Sequence, residues 1–348
     1  MNLPRWTSSA KCSTTSKTIL LWFLFFVICW GLGYPTLSRY DPRGAAGTRD
    51  SVTYYDLVTG MPQESMGFRG YRLLVPSVAR PFYHLAAGRL RTWDPVFFSL
   101  LIANALFCST TACLLVSLGR RVVGDYSVAL LGAALYLLNF TVSNSQLSGM
   151  VDSGEACLMM GLGWSLFAGK WPLLPILGVL GALAKETFVP LSTAFAVGWY
   201  VGAAGQGGFR LSQIAWIAAL ATTGLATVSV LQSFVSGHAV WPWNIVSSMR
   251  SDLSLSAGFL QCVLDHNVWY PFVWLLPLGA FRLRRLNRPW LRASVVSALT
   301  ALALGAYHDA GGGNVARSMF NVIGPILSLS AASLLSGWQS KALNTEET

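Results

Sequence analysis

Charged residues are scarce in this sequence, and their scarcity excludes an ordinary soluble domain. Only 11% of the 348 residues are charged, whereas 53% are hydrophobic. Soluble globular domains carry about 25% charged residues. A chain with so few charges cannot cover a water-exposed surface with polar groups, so lipid must cover most of it.

Two patterns that are typical of metal and disulfide sites are missing. The six cysteines form no CxxC pair, and most of them lie inside apolar segments, where cysteine acts as a small hydrophobic residue. No DxD motif is present. The sequence therefore indicates neither a disulfide framework nor a metal cluster. It indicates no cofactor, although the use of a divalent metal stays open.

The net charge of +10 does not indicate a nucleic-acid partner. The basic residues occur in short clusters between apolar runs, and they form no continuous polar stripe. Short basic loops of this kind are typical of the cytoplasmic side of membrane proteins. The sequence thus predicts a membrane as partner and no nucleic acid.

Ten apolar runs of spanning or near-spanning length predict an all-α polytopic membrane protein with about 10 transmembrane helices. They cover residues 19–32, 95–119, 126–143, 151–169, 171–184, 187–204, 211–235, 267–281, 290–307 and 318–338. With the N-terminus inside, the cytoplasmic segments hold 13 of the 24 basic residues and three of the 14 acidic ones. This asymmetry predicts that both termini are cytoplasmic.

The chain is expected to form one transmembrane domain, residues 1–338, followed by a short cytoplasmic tail, residues 339–348. One long external loop, residues 38–94, contains an amphipathic segment at 68–90. No internal repeat of the kind found in transporters is visible in the sequence.

The amphipathic segment has the pattern of a helix that lies in the membrane interface. At 100° per residue, its cationic side chains share one arc and its apolar side chains lie opposite. Pro76 and Pro81 predict two short helical pieces instead of one rod. The cationic arc suits a phosphate or pyrophosphate, or lipid headgroups in general. The two arcs consist of Arg69, Arg72, Arg80 and Tyr83, and of Leu74, Val78, Phe82 and Leu85.

The external loop also carries carboxylates, among them Asp41 and Asp50. Asp50 opens the stretch Asp50-Ser-Val-Thr-Tyr-Tyr-Asp56. Asp50 and Asp56 are six residues apart, so a single helix would place them on different faces. They form no paired-carboxylate signature, and the simplest interpretation of any one of these acids is a solvated loop charge.

Asp152 and Glu155 stand three residues apart at the outer end of the fourth expected span, and therefore share a helix face. Carboxylates at such a position are costly, which predicts either a structural ion pair or a role in function. Arg69, Arg72 and Lys185 are the natural cationic partners.

The turn Lys185-Glu186-Thr187 interrupts an apolar hairpin that runs from 171 to 205. Because only about 14 apolar residues precede this turn, we expect it to lie below the external membrane surface. Charged groups at that depth face protein or a water-filled cavity. The alternative is a simple surface turn.

Residues 308–317 form a further external loop with three consecutive glycines, which suits a loop that orders around a ligand. Arg317 begins the last span and is placed to clamp an anion. His308 beside Asp309 is either a base oriented by a carboxylate or a solvated loop histidine.

The order of these features resembles that of GT-C type integral-membrane glycosyltransferases, in particular a poorly characterised bacterial subgroup. The resemblance rests on three motifs and covers about residues 19–335. They are Asp50…Tyr54-Tyr55, Tyr71-Arg-Leu-Leu-Val-Pro-Ser-Val-Ala-Arg80 and Gly181-Ala-Leu-Ala-Lys-Glu-Thr187.

The resemblance implies transfer of a sugar from a polyprenyl-phosphate-linked donor to a lipid or glycan acceptor, on the periplasmic face of the inner membrane. It implies that Asp50, with Asp41 as second choice, is the general base. It further implies phosphate binding by Arg69, Arg72, Arg80, Lys185 and Arg317, and orienting or sugar-binding roles for Asp152, Glu155, Glu186 and His308. The chain departs from relatives that have an acidic pair in the first loop or a large external domain.

Two other functional classes remain open at this stage. A multi-pass transporter or lipid flippase predicts polar residues along the spans and broken helices in corresponding halves. A non-catalytic membrane scaffold subunit predicts no dependence on any single carboxylate. The concentration of charges at one face favours the glycosyltransferase.

Overall fold

α-Helices make up nearly all of the structure, a computed structural model that describes residues 7–39, 49–60, 70–207, 211–244, 254–308 and 312–346. No β-strand occurs within these residues. Such a bundle is one of two architectures that satisfy every backbone polar group within lipid.

Fifteen helices follow one another along the described chain, and short 3₁₀ and π segments join some of them. The helices are α1 (Thr7–Gly33), α2 (Thr36–Arg39), α3 (Arg49–Thr59), α4 (Leu74–Ala86), α5 (Pro95–Val123), α6 (Tyr126–Leu137), α7 (Asp152–Phe167), α8 (Leu174–Ala184), α9 (Phe188–Gly207), α10 (Leu211–Ser236), α11 (Leu255–Leu264), α12 (His266–Trp269), α13 (Leu275–Ala280), α14 (Arg288–His308) and α15 (Gly312–Glu346). Helix α15 extends to Glu346, so the part of the predicted tail that the structure describes, residues 339–346, is helical.

Five helical segments of the described chain are long and apolar enough to cross a membrane. They are Thr15–Ser38, Pro95–Val123, Leu211–Ser236, Arg288–His308 and Asn314–Gly337. Shorter apolar helices occur at Tyr126–Leu137, Trp171–Ala184, Phe188–Ala203 and Leu255–Leu264. The chain is therefore a helical protein embedded in a membrane.

The apolar run at 267–281, expected as one span, is divided into three short elements: α12, a 3₁₀ turn at Tyr270–Phe272, and α13. Pro271 and Pro277 lie within this run. Proline lacks the backbone N–H that continues an α-helix, and Pro271 occupies the first turn of the 3₁₀ segment. The prolines account for the division.

The spanning helices differ in how deeply they are buried, and this difference defines the centre of the bundle. Most of the apolar window is buried in α5 (67%) and in α15 (83%). The corresponding shares are 17% in α1 and 22% in α10. Helices α5 and α15 are therefore central, whereas α1 and α10 present most of their apolar surface outward, where lipid covers it.

Helices α9 and α14 approach closely through a small-residue motif, Gly198-Trp-Tyr-Val-Gly202. A Cβ atom at Gly198 would lie 2.9 Å from the backbone of Ala293, and one at Gly202 would lie 2.7 Å from that of Pro289. Glycines four residues apart let two membrane helices pack backbone to backbone.

The amphipathic segment forms one helix, α4, and not the two pieces that its prolines predicted. Pro76 lies in the first turn, where its missing N–H costs no helical hydrogen bond, and the helix continues through Pro81. Its buried face consists of Val75, Pro76, Ala79 and Ala86. Small side chains on this face pack against α5, so contacts with the rest of the protein hold the helix in place.

The contact between α9 and α14 yields a stability prediction. Gly198→Ala is expected to lower the thermal midpoint of the purified protein, because overpacking costs about 1–3 kcal/mol and alanine recovers only about 1 kcal/mol of helix propensity. Gly161→Ala is the matched control, since its Cβ would lie 3.9 Å from Leu177. Thermal unfolding in detergent that gave equal midpoints for both variants would contradict the close approach.

Candidate functional site

The site is centred on a break in the helical chain between α8 and α9. Helix α8 has 11 residues and is therefore about 16 Å long, about half the thickness of the hydrocarbon core. Lys185 ends it with an extended backbone, φ −167° and ψ 138°. The ring of Phe188 lies directly against Gly181, where a Cβ would come within 1.9 Å of it. The chain thus reverses inside the bundle, and Lys185 is buried.

The Lys185 ammonium is bound by the two carboxylates of the first turn of α7. Its Nζ donates to Asp152 Oδ1 at 2.7 Å and lies 3.5 Å from Glu155 Oε2. Both carboxylates are fully buried, and their position at a helix N-terminus suits the helix dipole. Of the three expected partners, Lys185 binds Asp152 and Glu155, Arg72 pairs with Glu186, and Arg69 lies outside the described residues.

Arg317, in the first turns of α15, binds the other oxygen of Asp152. Its Nη1 donates to Asp152 Oδ2 at 3.0 Å, and its Nη2 donates to the side chain of Asn314. Ser145 Oγ also donates to Asp152 Oδ2, at 3.1 Å. Asp152 therefore joins a cation of α15 to the cation at the α8–α9 break.

A second ion pair connects the external segment to the α8–α9 break. Arg72 binds Glu186 through both ends of its guanidinium fork, with Nε 2.9 Å from Oε2 and Nη2 in contact with Oε1. Its Nη1 donates to the Tyr54 hydroxyl at 2.7 Å. Because Tyr54 lies on α3, this arginine fastens α3 to the interior of the bundle.

These groups form a charge-balanced set, which we call the ion cluster. It contains three cations and three carboxylates: Arg72, Lys185, Arg317, Asp152, Glu155 and Glu186. The side chain of Arg317 is 19% exposed and that of Glu186 is 13% exposed, whereas those of Asp152 and Glu155 are 2% and 0% exposed. The cluster therefore has a buried acidic base and a partly open edge.

A layer of neutral polar side chains supports the acidic base. Asn321 donates to Glu155 Oε2 at 2.9 Å and accepts from Gln146 at 2.9 Å. Thr187 donates to Glu155 Oε1 at 2.6 Å. Buried carboxylates need such donors to offset the loss of water.

Sequence reasoning missed Tyr54, Ser145, Gln146 and Asn321. Asn321 could have been found, because it follows Arg317 by four residues and so shares its helix face. Gln146 closes a π-helical turn, Val142–Gln146, a distortion that is frequent at functional sites. No sequence signal marks that turn.

The segment that carries Arg72 has a further attachment through Tyr71. The Tyr71 hydroxyl accepts from Gln232 Nε2 of α10 at 2.8 Å. Burial raises the pKa of the Tyr71 phenol above its ordinary value, so the hydroxyl keeps its proton at neutral pH.

Other residues predicted for the site lie elsewhere in the described structure. Arg80 donates to the Leu57 carbonyl, at 2.9 Å from Nη2, and so joins α4 to α3. His308 ends α14, and its ring packs edge-on against Tyr307 at 5.1 Å.

The expected general bases lie at or beyond the edge of the described structure. Asp41 lies outside the described residues, as does Arg69, which was expected to bind phosphate. The backbone of Asp50 lies in the first turn of α3, one helical turn before Tyr54, while its side chain is outside the description. Among the described side chains, no group of three His, Cys, Asp or Glu is placed to hold a metal ion.

No family model and no curated protein matches this chain. The functional argument therefore rests on the site.

The pairing of Arg72 with Glu186 yields a second prediction, on stability. Removing one partner of a buried pair costs about 3–5 kcal/mol, because the other charge stays buried without compensation. Arg72→Met and Glu186→Gln are each expected to lower the thermal midpoint strongly, and the double variant is expected to recover part of the loss.

A double-mutant cycle of thermal unfolding measures this coupling, with Arg91→Gln as the exposed control. Additive effects of Arg72→Met and Glu186→Gln would show that the two side chains do not interact.

Proposed function

We propose that the chain is a membrane glycosyltransferase of the GT-C type. It transfers a sugar from a polyprenyl-phosphate-linked donor to a lipid or glycan acceptor at the face that carries the ion cluster. The observation that carries the proposal is the convergence of Arg72, Lys185 and Arg317 at one end of an otherwise apolar bundle.

Three cations fixed at one place suit a phosphate leaving group. Negative charge develops on the phosphate oxygens as the bond to the sugar breaks, and cations that are already oriented stabilise that charge without reorganisation. Guanidinium groups bind phosphate oxygens in a bidentate manner. Arg317, the most exposed of the three cations, makes the first contact with the phosphate.

The balance of charges in the ion cluster determines which contacts must change when a phosphate binds. The ion cluster is neutral before binding, so an arriving phosphate competes with the carboxylates for the cations. In the free enzyme, Asp152 and Glu186 orient the cations. When the donor binds, these two carboxylates lose contacts with the cations, and the donor phosphate takes their place.

The base that activates the acceptor hydroxyl is assigned to Asp50. Tyr54, which accepts from Arg72, lies one turn further along α3. The same helix therefore carries the base and a ligand of a phosphate-binding arginine. Loss of a general base typically slows turnover by about 10²–10⁴-fold.

The proposed topology has about ten passes through the inner membrane, with both termini in the cytoplasm. Helices α6 to α9 then count as passes, although α6, α7 and α8 have only 12, 16 and 11 residues. Residues 255–280 make one pass as separate short elements. The side rich in basic residues is cytoplasmic, and the ion cluster faces the periplasm. The proposal requires no metal or cofactor, and a divalent metal stays open.

A transporter or flippase is the second candidate, and one observation favours it. The chain breaks between α8 and α9 inside the bundle, and broken helices line the sites of many transporters. The polar layer of Gln146 and Asn321 also continues inward from the ion cluster. The charged groups nevertheless gather at one end, which suits chemistry at that face.

The test is the release of polyprenyl phosphate from lipid-linked sugars by purified protein. Asp50→Asn is expected to reduce release by at least 100-fold while leaving the thermal midpoint unchanged. Asp56→Asn is the matched control, because Asp56 is a carboxylate of the same helix, six residues on. Burial raises the pKa of Asp56, which makes it the alternative base on that helix.

Each other outcome has a distinct meaning. Loss of release in Asp56→Asn alone would move the base to Asp56. Absence of release by the wild type, together with stabilisation by the donor, would favour a carrier. If the wild type neither releases polyprenyl phosphate nor is stabilised by any donor, the result would favour a scaffold subunit.

A further inference from the structure

A basic patch lies at the end of the bundle opposite the ion cluster. Five arginines occur within eleven residues between α13 and the second turn of α14: Arg282, Arg284, Arg285, Arg288 and Arg292. No acidic residue occurs between Asp265 and Asp309. We call these five side chains the arginine patch.

The position of the patch follows from its contact with α15. The guanidinium of Arg282 lies against Gly337, where a Cβ would come within 2.4 Å of it. Gly337 is 20 residues beyond Arg317 on the same helix, a distance of about 30 Å. This distance equals the thickness of a bilayer core, so the patch lies at the opposite membrane boundary.

The backbone that carries the patch is anchored, while its charges are exposed. Leu286 and Trp290 are buried in the bundle, and Asn287 caps the first turn of α14 by accepting from the Trp290 N–H at 3.0 Å. Arg284, Arg285 and Arg288 are exposed, and none of them has an ion pair with an acidic side chain of the described chain.

A large apolar side chain, whose exposure to water is unfavourable, lies next to these arginines in the chain. Phe281 is 77% exposed and directly precedes Arg282. Exposed arginines beside an exposed aromatic ring are the combination that binds at a lipid interface, where the ring enters the acyl boundary and the guanidinium groups meet the headgroups.

We propose that the arginine patch binds the phosphate headgroup of an anionic phospholipid of the bilayer. The arginines supply bidentate donors to phosphate oxygens, and Phe281 contacts the adjoining acyl chain. The positive charges repel one another without a counter-charge, and an anionic lipid removes that repulsion. The proposal does not depend on the glycosyltransferase activity.

The experiment titrates the purified full-length protein with phosphatidylglycerol or phosphatidylcholine and counts bound lipids by native mass spectrometry. Each basic residue near an anionic surface contributes about fivefold in affinity. Arg284→Gln/Arg285→Gln is therefore expected to weaken phosphatidylglycerol binding by about 25-fold and to leave phosphatidylcholine binding unchanged. Arg284→Lys/Arg285→Lys keeps both charges but loses the bidentate donors, and is therefore expected to lose less affinity than the glutamine pair and more than none.

The matched control is Arg89→Gln/Arg91→Gln, which removes two exposed arginines at the other end of the bundle. Equal losses in the two double variants would overturn the proposal, as would equal binding of the neutral lipid. Displacement of the lipid by millimolar inorganic phosphate would overturn the lipid as occupant. Unchanged thermal midpoints of the variants confirm that folding is intact.

Discussion

The burial of charge at Lys185 is the constraint on which the rest of this structure depends. An ammonium group removed from water costs several kcal/mol unless opposite charges and hydrogen bonds surround it. Asp152 and Glu155 supply the charges, and they in turn need Arg317, Asn321 and Thr187. These partners lie on α7, on α15 and in the turn itself, so one buried cation ties together α7, α15 and the α8–α9 break.

The same constraint explains why the external segment is attached to the bundle. Glu186 follows Lys185 directly and would be a second buried charge without a partner. Arg72 balances it and also binds Tyr54 of α3. The groups that stabilise the break are cations and carboxylates, which are also the groups that the departure of a phosphate leaving group and the activation of an acceptor would use. Stability and the proposed function therefore share residues, and only measurements of turnover separate the two.

The sequence sufficed where a property is local or compositional. Scarcity of charge predicted the membrane, and the three-residue spacing of Asp152 and Glu155 predicted their shared face, with Arg69, Arg72 and Lys185 as the possible cationic partners. The sequence did not suffice where contacts between distant segments determine the structure. Pro76 and Pro81 suggested two pieces for α4, but the first proline falls in a tolerated position. The apolar run at 267–281 looked continuous, yet its prolines divide it. Tyr54 and Gln146 are joined to the cluster by contacts between distant segments, which no single-sequence periodicity reveals.

The most direct measurement of the central claim is the location of a bound polyprenyl phosphate. A photoreactive analogue with its label near the phosphate is cross-linked to the wild-type protein, and the labelled peptides are identified by mass spectrometry. The account predicts labelling in the segments that contain Arg72 or Arg317, with competition by unlabelled polyprenyl phosphate but not by phosphatidylglycerol. Labelling confined to the outward faces of α1 and α10, or without competition, would contradict it.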